Sequence, residues 1–222
     1  MATPTMELVR PFDFSVLSGV HVLDENKESV DLGTLFSSTN GKGIIIFRRH
    51  FNCFVCSFQL SKLIQAGTEL AQEGFPVVII APEGPGGIAQ YRERYSIPEA
   101  VRILVDPKKA AYEKLSFTRQ ANVFYNLFFD RQTWARISEG MSQARAGGFT
   151  EARTSLRVVF ADVQQQGGLL LTQTADGTGA LFKQGLFGEV FPTLQEVRKL
   201  LLQPDEPTEP TEVNVDEQKA QE

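Results

Sequence analysis

Apolar residues fall into short runs separated by mixed stretches through the middle of the chain. GIIIF (43–47), PVVIIA (76–81) and RILVD (102–106) are continuous apolar runs of strand length, the pattern of strands covered by helices on both faces. Between them the spacing becomes helical. Over about 53–72, Leu60, Leu63, Ile64, Gly67, Leu70 and Ala71 recur on one face, and Gly74 is placed to cap the C-terminus. Shorter helices are predicted near 87–95 and 108–115. This alternation predicts a βαβαβ unit on a largely parallel sheet.

Downstream, GGLLLTQ (167–173) and GALFKQ (179–184) flank a turn containing Asp176-Gly177, whose tolerance of positive φ predicts a β-hairpin. PTLQEVRKLLLQ (192–203) has proline in its first turn and stops before Pro204, and so reads as a closing helix. A βαβ half, a hairpin and a final helix follow one another in the order of a thioredoxin-like α/β fold, a central mixed sheet flanked by helices. Residues 116–165 exceed what that fold requires. ANVFYNLFF (121–129) and Trp134 make this an aromatic-rich helical insert, either a further layer over one sheet face or a wall near a site, with Phe124 and Phe128 as substrate-binding candidates.

Charge separates the last segment from the rest. The chain has 222 residues, 42% apolar, and a formal charge of −5. Residues 205–222 hold seven acids against Lys219, a net −6, which leaves the body near +1. With Pro204, Pro207 and Pro210 and almost nothing apolar, 204–222 is expected to be a disordered acidic tail beyond one domain spanning 1–203. A near-neutral body without a basic-aromatic stripe gives no reason to expect nucleic-acid binding. No run approaches the roughly 18 apolar residues of a membrane helix. The N-terminal segment has no apolar core of a secretory signal and one basic residue in its first fourteen, so a cytoplasmic location and no membrane association are expected.

The two cysteines of the chain, Cys53 and Cys56, lie in FRRHFNCFVCSF (47–58), just beyond the strand GIIIF. Reactive groups in open α/β sheets gather at the C-terminal ends of strands. There the unpaired N–H groups of the following helix, together with Arg48, Arg49 and His50, would lower a thiol pKa from about 8.5. The i, i+3 spacing puts both cysteines on one side of a first helical turn. Three readings follow. His50-x-x-Cys53-x-x-Cys56 offers a metal only three ligands where structural zinc takes about four, and His21 is remote. Phe51, Phe54 and Phe58 would suit two inert core cysteines. A redox dithiol fits the strand-to-helix junction best. Successive strand residues point to opposite sides, so one arginine is expected to face the sulfurs, with Arg49 preferred, and the other to be solvated or paired. His50 reads more readily as a polar loop residue than as a base.

Together, FRRHFNCFVC, VDPKKAAYEKL (105–115), the aromatic insert and QQGGLLLT (165–172) resemble the peroxiredoxin-like members of the alkyl hydroperoxide reductase and thiol-specific antioxidant (AhpC/TSA) superfamily, and most closely the peroxiredoxin-like 2 group, which includes prostamide/prostaglandin F synthase. The likeness runs over about 15–203. It implies a thioredoxin fold, an active Cys53/Cys56 pair and thiol-dependent oxidoreductase activity. The peroxiredoxin pattern P-x-x-x-T-x-x-C, laid on this chain, puts Cys56 on the peroxidatic cysteine, Cys53 on the threonine and Arg49 on the proline. Gly167-Gly168 stands where thioredoxins place a cis-proline.

The reading these features support is a hydroperoxide-reducing oxidoreductase that cycles between dithiol and Cys53–Cys56 disulfide, needs no bound cofactor, and is regenerated by thioredoxin or glutathione. A reductase of an endoperoxide or other small organic substrate, and a non-enzymatic redox-sensing or scaffold module, are the alternatives. Cys53, nearer Arg49 and the open helix end, is favoured as nucleophile over Cys56, which the peroxiredoxin register prefers. Oligomeric state leaves no mark in the sequence.

Overall fold

The computed structural model of the chain describes residues 7–51, 54–117, 142, 165–172, 178–183 and 191–202. Eight strands among them form one sheet: β1 (Glu7–Asp13), β2 (His21–Leu23), β3 (Ser29–Asp31), β4 (Gly43–Phe47), β5 (Val77–Ala81), β6 (Arg102–Val105), β7 (Gly168–Thr172) and β8 (Thr178–Lys183). Their order is β1-β8-β7-β4-β5-β6-β2-β3. Strands β4, β5 and β6 are parallel, as the alternating pattern predicts. Every other pairing is antiparallel, so the sheet is mixed.

All residues of β4, β5 and β7 are buried because both faces of the sheet are covered. The even residues of β4 (Ile44, Ile46) join Val77, Ile79, Leu169 and Leu171 under Leu60, Leu63, Leu70, Tyr91 and Val197. These come from α1 (Phe54–Gln65), α2 (Gly67–Gln72), α3 (Ile88–Arg94) and α5 (Leu194–Leu202). The odd residues (Ile45, Phe47) join Val78, Ile80, Leu170 and Leu181 against Phe14, Leu17, Phe36 and Phe117, and against Tyr112 of α4 (Ala110–Lys114). At about 1.5–3 kcal/mol for each large aliphatic side chain removed from water, these two layers dominate the stability of the domain.

The expected helix over 53–72 divides at Ala66, whose ψ of 2° leaves the helical region. The reason is close packing: a Cβ on Gly67 would overlap Cγ2 of Val101, so the backbone there lies directly against the Val101 side chain. Gly74 does end the segment, at φ +89°. Helix α4 begins later than expected because Lys109 takes a left-handed conformation, φ 58°, and the carboxylate of Asp106 accepts the N–H groups of Ala110 (3.1 Å) and Ala111 (2.8 Å). The hairpin β7–β8 forms as predicted, with Gly168 opposite Lys183 and Thr172 opposite Gly179. Helix α5 opens on a reciprocal capping box. Thr193 N–H donates to Glu196 Oε2 at 2.6 Å, and Glu196 N–H donates to Thr193 Oγ1 at 3.3 Å. Arg198 ties this helix to α2 through Glu69 (3.0 Å) and Glu73 (2.9 Å). The expected insert beyond Phe117, apart from residue 142 and the segment from Gln165, and the expected tail both lie outside the described residues. No helix among the described residues is long and apolar enough to cross a membrane.

Candidate active site at the end of β4

Strand β4 ends at Phe47 and α1 begins at Phe54. Arg48–Phe51 are the described part of the connection. Asn52 and Cys53 fall outside the described residues, Cys56 is the third residue of α1, and Phe124 and Phe128 also lie outside. The site is therefore built from what holds the connection in place.

Arg48 continues the parallel ladder by one bond, its N–H donating to Ile80 O at 2.8 Å. Its carbonyl accepts the hydroxyl of Tyr112 at 2.6 Å, and that hydroxyl also lies 3.0 Å from Ile80 O. The Arg48 guanidinium carbon sits 5.4 Å from the centroid of the Tyr91 ring, a cation–π contact. Phe51 N–H donates to Glu83 Oε1 at 2.6 Å, and the Phe51 ring stacks on Tyr91 with centroids 4.5 Å apart. The connection is thus clasped at both ends, by Tyr112 of α4 on one side and by Glu83 after β5 on the other.

Arg48, Arg49 and His50 are 1%, 2% and 6% exposed. Of the two alternatives for the second arginine, solvated or paired, burial of both side chains overturns the solvated one. Arg48 runs to the face occupied by α3, whereas Arg49 lies beside the start of β7, where its Cγ is 3.5 Å from the position a Cβ on Gly167 would take. The same Cβ would be 2.7 Å from Phe47 O, and one on Gly168 would be 2.6 Å from Phe182 O. The Gly167-Gly168 pair in place of a proline therefore has a steric cause. The chain entering β7 comes too close to β4 and β8 for any side chain. His50 is a polar residue of the connecting loop, as expected, and is buried there.

The VDPKKAAYEKL motif acquires a structural role here. Asp106 starts α4, and α4 delivers Tyr112 to Arg48. Burial pushes the Asp106 carboxyl above its ordinary range, against the N–H bonds from Ala111 and Ala110 that favour its charged form. Sequence reasoning missed Tyr112 and Glu83. Glu83 follows β5 at the C-terminal edge of the parallel strands, and that position was the available signal for it. Tyr112 carried none beyond being a polar-tipped aromatic in a core helix.

Beside this connection lies a pocket of about 210 Å³ lined by Phe51, Glu83, Gly84, Gly87, Gln90, Tyr91 and Arg94. Among the described residues no three His, Cys, Asp or Glu side chains cluster to hold a metal ion. Cys53, which the three-ligand reading requires, lies outside them.

A family model described as AhpC/TSA antioxidant enzyme matches residues 59–183. That span is more than half of the chain and begins beyond Cys56, so the match does not depend on the cysteines. No curated protein sequence matches the chain. Among solved structures, the chain is similar to a thiol peroxidase from Chromobacterium violaceum, at 12% identity and a TM-score of 0.52 over 90% of each chain. It is also similar to the bacterioferritin comigratory protein of Xanthomonas campestris, described for its alkyl peroxide reduction activity. There the identity is 7% and the TM-score 0.51, over 80% of this chain and 88% of that one. At these identities the likeness is one of fold, the thioredoxin-like fold of peroxiredoxin-type proteins. The expected fold class is met. So is the resemblance at the level of AhpC/TSA; the narrower peroxiredoxin-like 2 grouping is not addressed by these matches.

Proposed function

The chain belongs to the AhpC/TSA antioxidant-enzyme family, and from that premise we propose that it reduces hydroperoxides through a Cys53/Cys56 dithiol–disulfide cycle. The observation that supports the reading is the two ends of the segment that carries this pair. Strand β4 ends at Phe47 in a parallel pairing, α1 begins at Phe54 with Cys56 as its third residue, and Arg48 and Arg49, which precede Cys53 in sequence, are buried. Helix N-termini and buried guanidinium groups both favour a thiolate.

The thiolate of Cys53 attacks the terminal oxygen of the hydroperoxide. An S–O bond forms, the O–O bond breaks, and the alkoxide or hydroxide leaves and takes up a proton. Cys53 is oxidised to the sulfenic acid and the peroxide is reduced to alcohol or water. The Cys56 thiol then displaces hydroxide from the sulfenic sulfur, giving the Cys53–Cys56 disulfide and water. An external dithiol such as thioredoxin, or glutathione, reduces the disulfide by thiol exchange. Arg49, buried beside the entry to β7, is the residue assigned to stabilise the thiolate.

NADPH consumption through thioredoxin and thioredoxin reductase, with hydrogen peroxide or an organic hydroperoxide as oxidant, tests this reading. Many turnovers per protein are expected, with loss of turnover in Cys53→Ser and Cys56→Ser. Oxidation that stops after one equivalent would instead make the chain a redox sensor.

A further inference from the structure

We propose that the turn over 39–42 carries a covalent modification site, Asn40-Gly41, at which the Asn40 amide is converted to an aspartyl or isoaspartyl carboxylate, and that the fold keeps this site closed until the turn opens. The proposal is independent of the hydroperoxide reading.

Asn40-Gly41 is the one Asn-Gly sequence in the chain. The reaction is intramolecular. Gly41 N attacks Asn40 Cγ, a C–N bond forms, and the side-chain nitrogen leaves as ammonia, taking up the proton from Gly41 N. Water then opens the resulting succinimide at either of its carbonyls, giving aspartate or isoaspartate. No oxidant, reductant or cofactor takes part. Glycine at the second position favours the attack, because it puts no side chain beside the nucleophilic nitrogen and leaves the backbone free to turn.

Asn40 is exposed, so water and base reach its side chain. Its backbone is nevertheless wrong for the reaction. Asn40 ends the single helical turn Ser37–Thr39 in the left-handed region, at φ 53° and ψ 41°, a conformation that asparagine adopts more readily than most residues. At that ψ, Gly41 N stands nearly anti to Asn40 Cβ about the Cα–C bond, whereas ring closure needs the two nearly eclipsed. The nucleophile is also engaged, since Gly41 N–H donates to Phe36 O at 2.9 Å. The same carbonyl accepts Thr39 N–H at 3.0 Å, and Lys42 N–H donates to Thr39 O at 3.1 Å. The Thr39 hydroxyl lies 2.5 Å from Lys42 O and 3.1 Å from Phe36 O. Phe36 is anchored in turn. It is 2% exposed, and its ring covers Gly43 at the start of β4, where a Cβ would come within 2.3 Å of it. Attack therefore requires almost half a turn about ψ, which breaks the Gly41 bond and pulls the turn off Phe36. Afterwards the turn does not reclose. Isoaspartate routes the main chain through the side-chain methylene and lengthens the path from Phe36 to Gly43, so Gly41 N–H no longer meets Phe36 O. The modification is a one-way record of opening at this place.

The test uses the full chain, reduced, in mildly alkaline buffer, once native and once in urea. Conversion at position 40 is read by peptide mass, and isoaspartate by enzymatic carboxyl methylation. Native conversion should be at least about tenfold slower than conversion in urea, and the slowing should match the hydrogen-exchange protection of Gly41 N–H within about threefold, because both wait for the same opening. Thr39→Ala removes the hydroxyl contacts and should raise the native rate severalfold while lowering Gly41 protection by the same factor; the wild-type comparison decides the matter even where this variant does not fold. Asn40→Gly, which suits the left-handed turn, should show no conversion at position 40. A native rate equal to the rate in urea, rapid conversion beneath a protected Gly41 amide, or no conversion at position 40 in urea would each overturn the proposal.

Discussion

Replacing Tyr112 by phenylalanine removes one oxygen atom from a buried position and leaves the packing in place. The ring keeps its edge contact with Phe47 (5.5 Å) and its tilted contact with Phe117 (5.8 Å). Ile80 O keeps the Arg48 N–H at 2.8 Å. The loss falls on the Arg48 carbonyl, which no longer receives the 2.6 Å hydroxyl bond. Leaving a buried acceptor without its donor costs about 1–3 kcal/mol, and for a domain of this size each kcal/mol lowers Tm by about 2–4 °C. A Tm fall of about 4–8 °C is the central expectation, measured by calorimetry on the reduced protein. The same bond holds the connection five residues before Cys53, so Tyr112→Phe should also slow the reaction of the reduced protein with peroxide severalfold, since small misplacements of reacting groups are costly. Rapid mixing with a sulfenic-acid probe reads that rate. A Tm within about 1 °C of wild type would refute the hydrogen-bond argument, and a normal rate in a destabilised variant would confine Tyr112 to stability.

Gly67→Ala sets helix propensity, worth about 1 kcal/mol in its favour, against overlap with Val101 Cγ2. Overpacking at about 1–3 kcal/mol should win, giving a net loss in urea denaturation; a gain in stability would show that Val101 moves aside freely. For Asp106, whose carboxyl pKa burial raises in the folded state, stability is greatest below the unfolded carboxylate pKa of about 3.9 and is lost as pH rises through the folded value. The advantage of wild type over Asp106→Asn should therefore shrink between acid and neutral pH, and an advantage that grows would reverse the sign. Thr193→Ala should cost about 1 kcal/mol at neutral pH. Thr193 lowers the Glu196 pKa, so this contribution is present above the unfolded carboxylate pKa and fades as pH falls through the folded one; a penalty that does not depend on pH would separate the cap from that carboxylate. Arg49→Met should raise the pKa of the more reactive thiol, as read by alkylation rate against pH, and no change would detach Arg49 from the site.

The strands β4, β5 and β6 and the hairpin β7–β8 were legible because each is a continuous apolar run bounded by breakers. Strands β1 to β3 were not. ELVRPFD carries a proline and two charge types in one strand, and β2 and β3 are three residues each, below the length at which alternation can be told from chance. The cysteine pair was visible from spacing alone, and its strand-to-helix junction was placed correctly by the run GIIIF. The burial of Arg49 was not visible, because it depends on β7 closing against Phe47 through two glycines more than a hundred residues away, and that of Arg48 was not, because it depends on Tyr91 of α3. Tyr112 fails for the same reason, since its partner Arg48 is 64 positions distant. Local patterns determine the elements. The groups that hold the connection are set by which elements the sheet brings together.

The burial of the two arginines matters to the proposed nucleophile through the dielectric rather than through charge alone. A guanidinium about 7 Å from a thiol stabilises the thiolate by roughly 0.6 kcal/mol in bulk water and by roughly 2.4 kcal/mol at an effective dielectric constant of about 20. Both act downward on the thiol pKa, and the lower dielectric of a buried guanidinium gives the larger effect. Burying charge costs several kcal/mol per ion, and the cation–π contact of Arg48 with Tyr91, worth about 2 kcal/mol when desolvated, is one of the contacts that offset it. On the proposed reading, the same two guanidinium groups, buried just beyond the end of β4, would favour a thiolate in the segment that follows them.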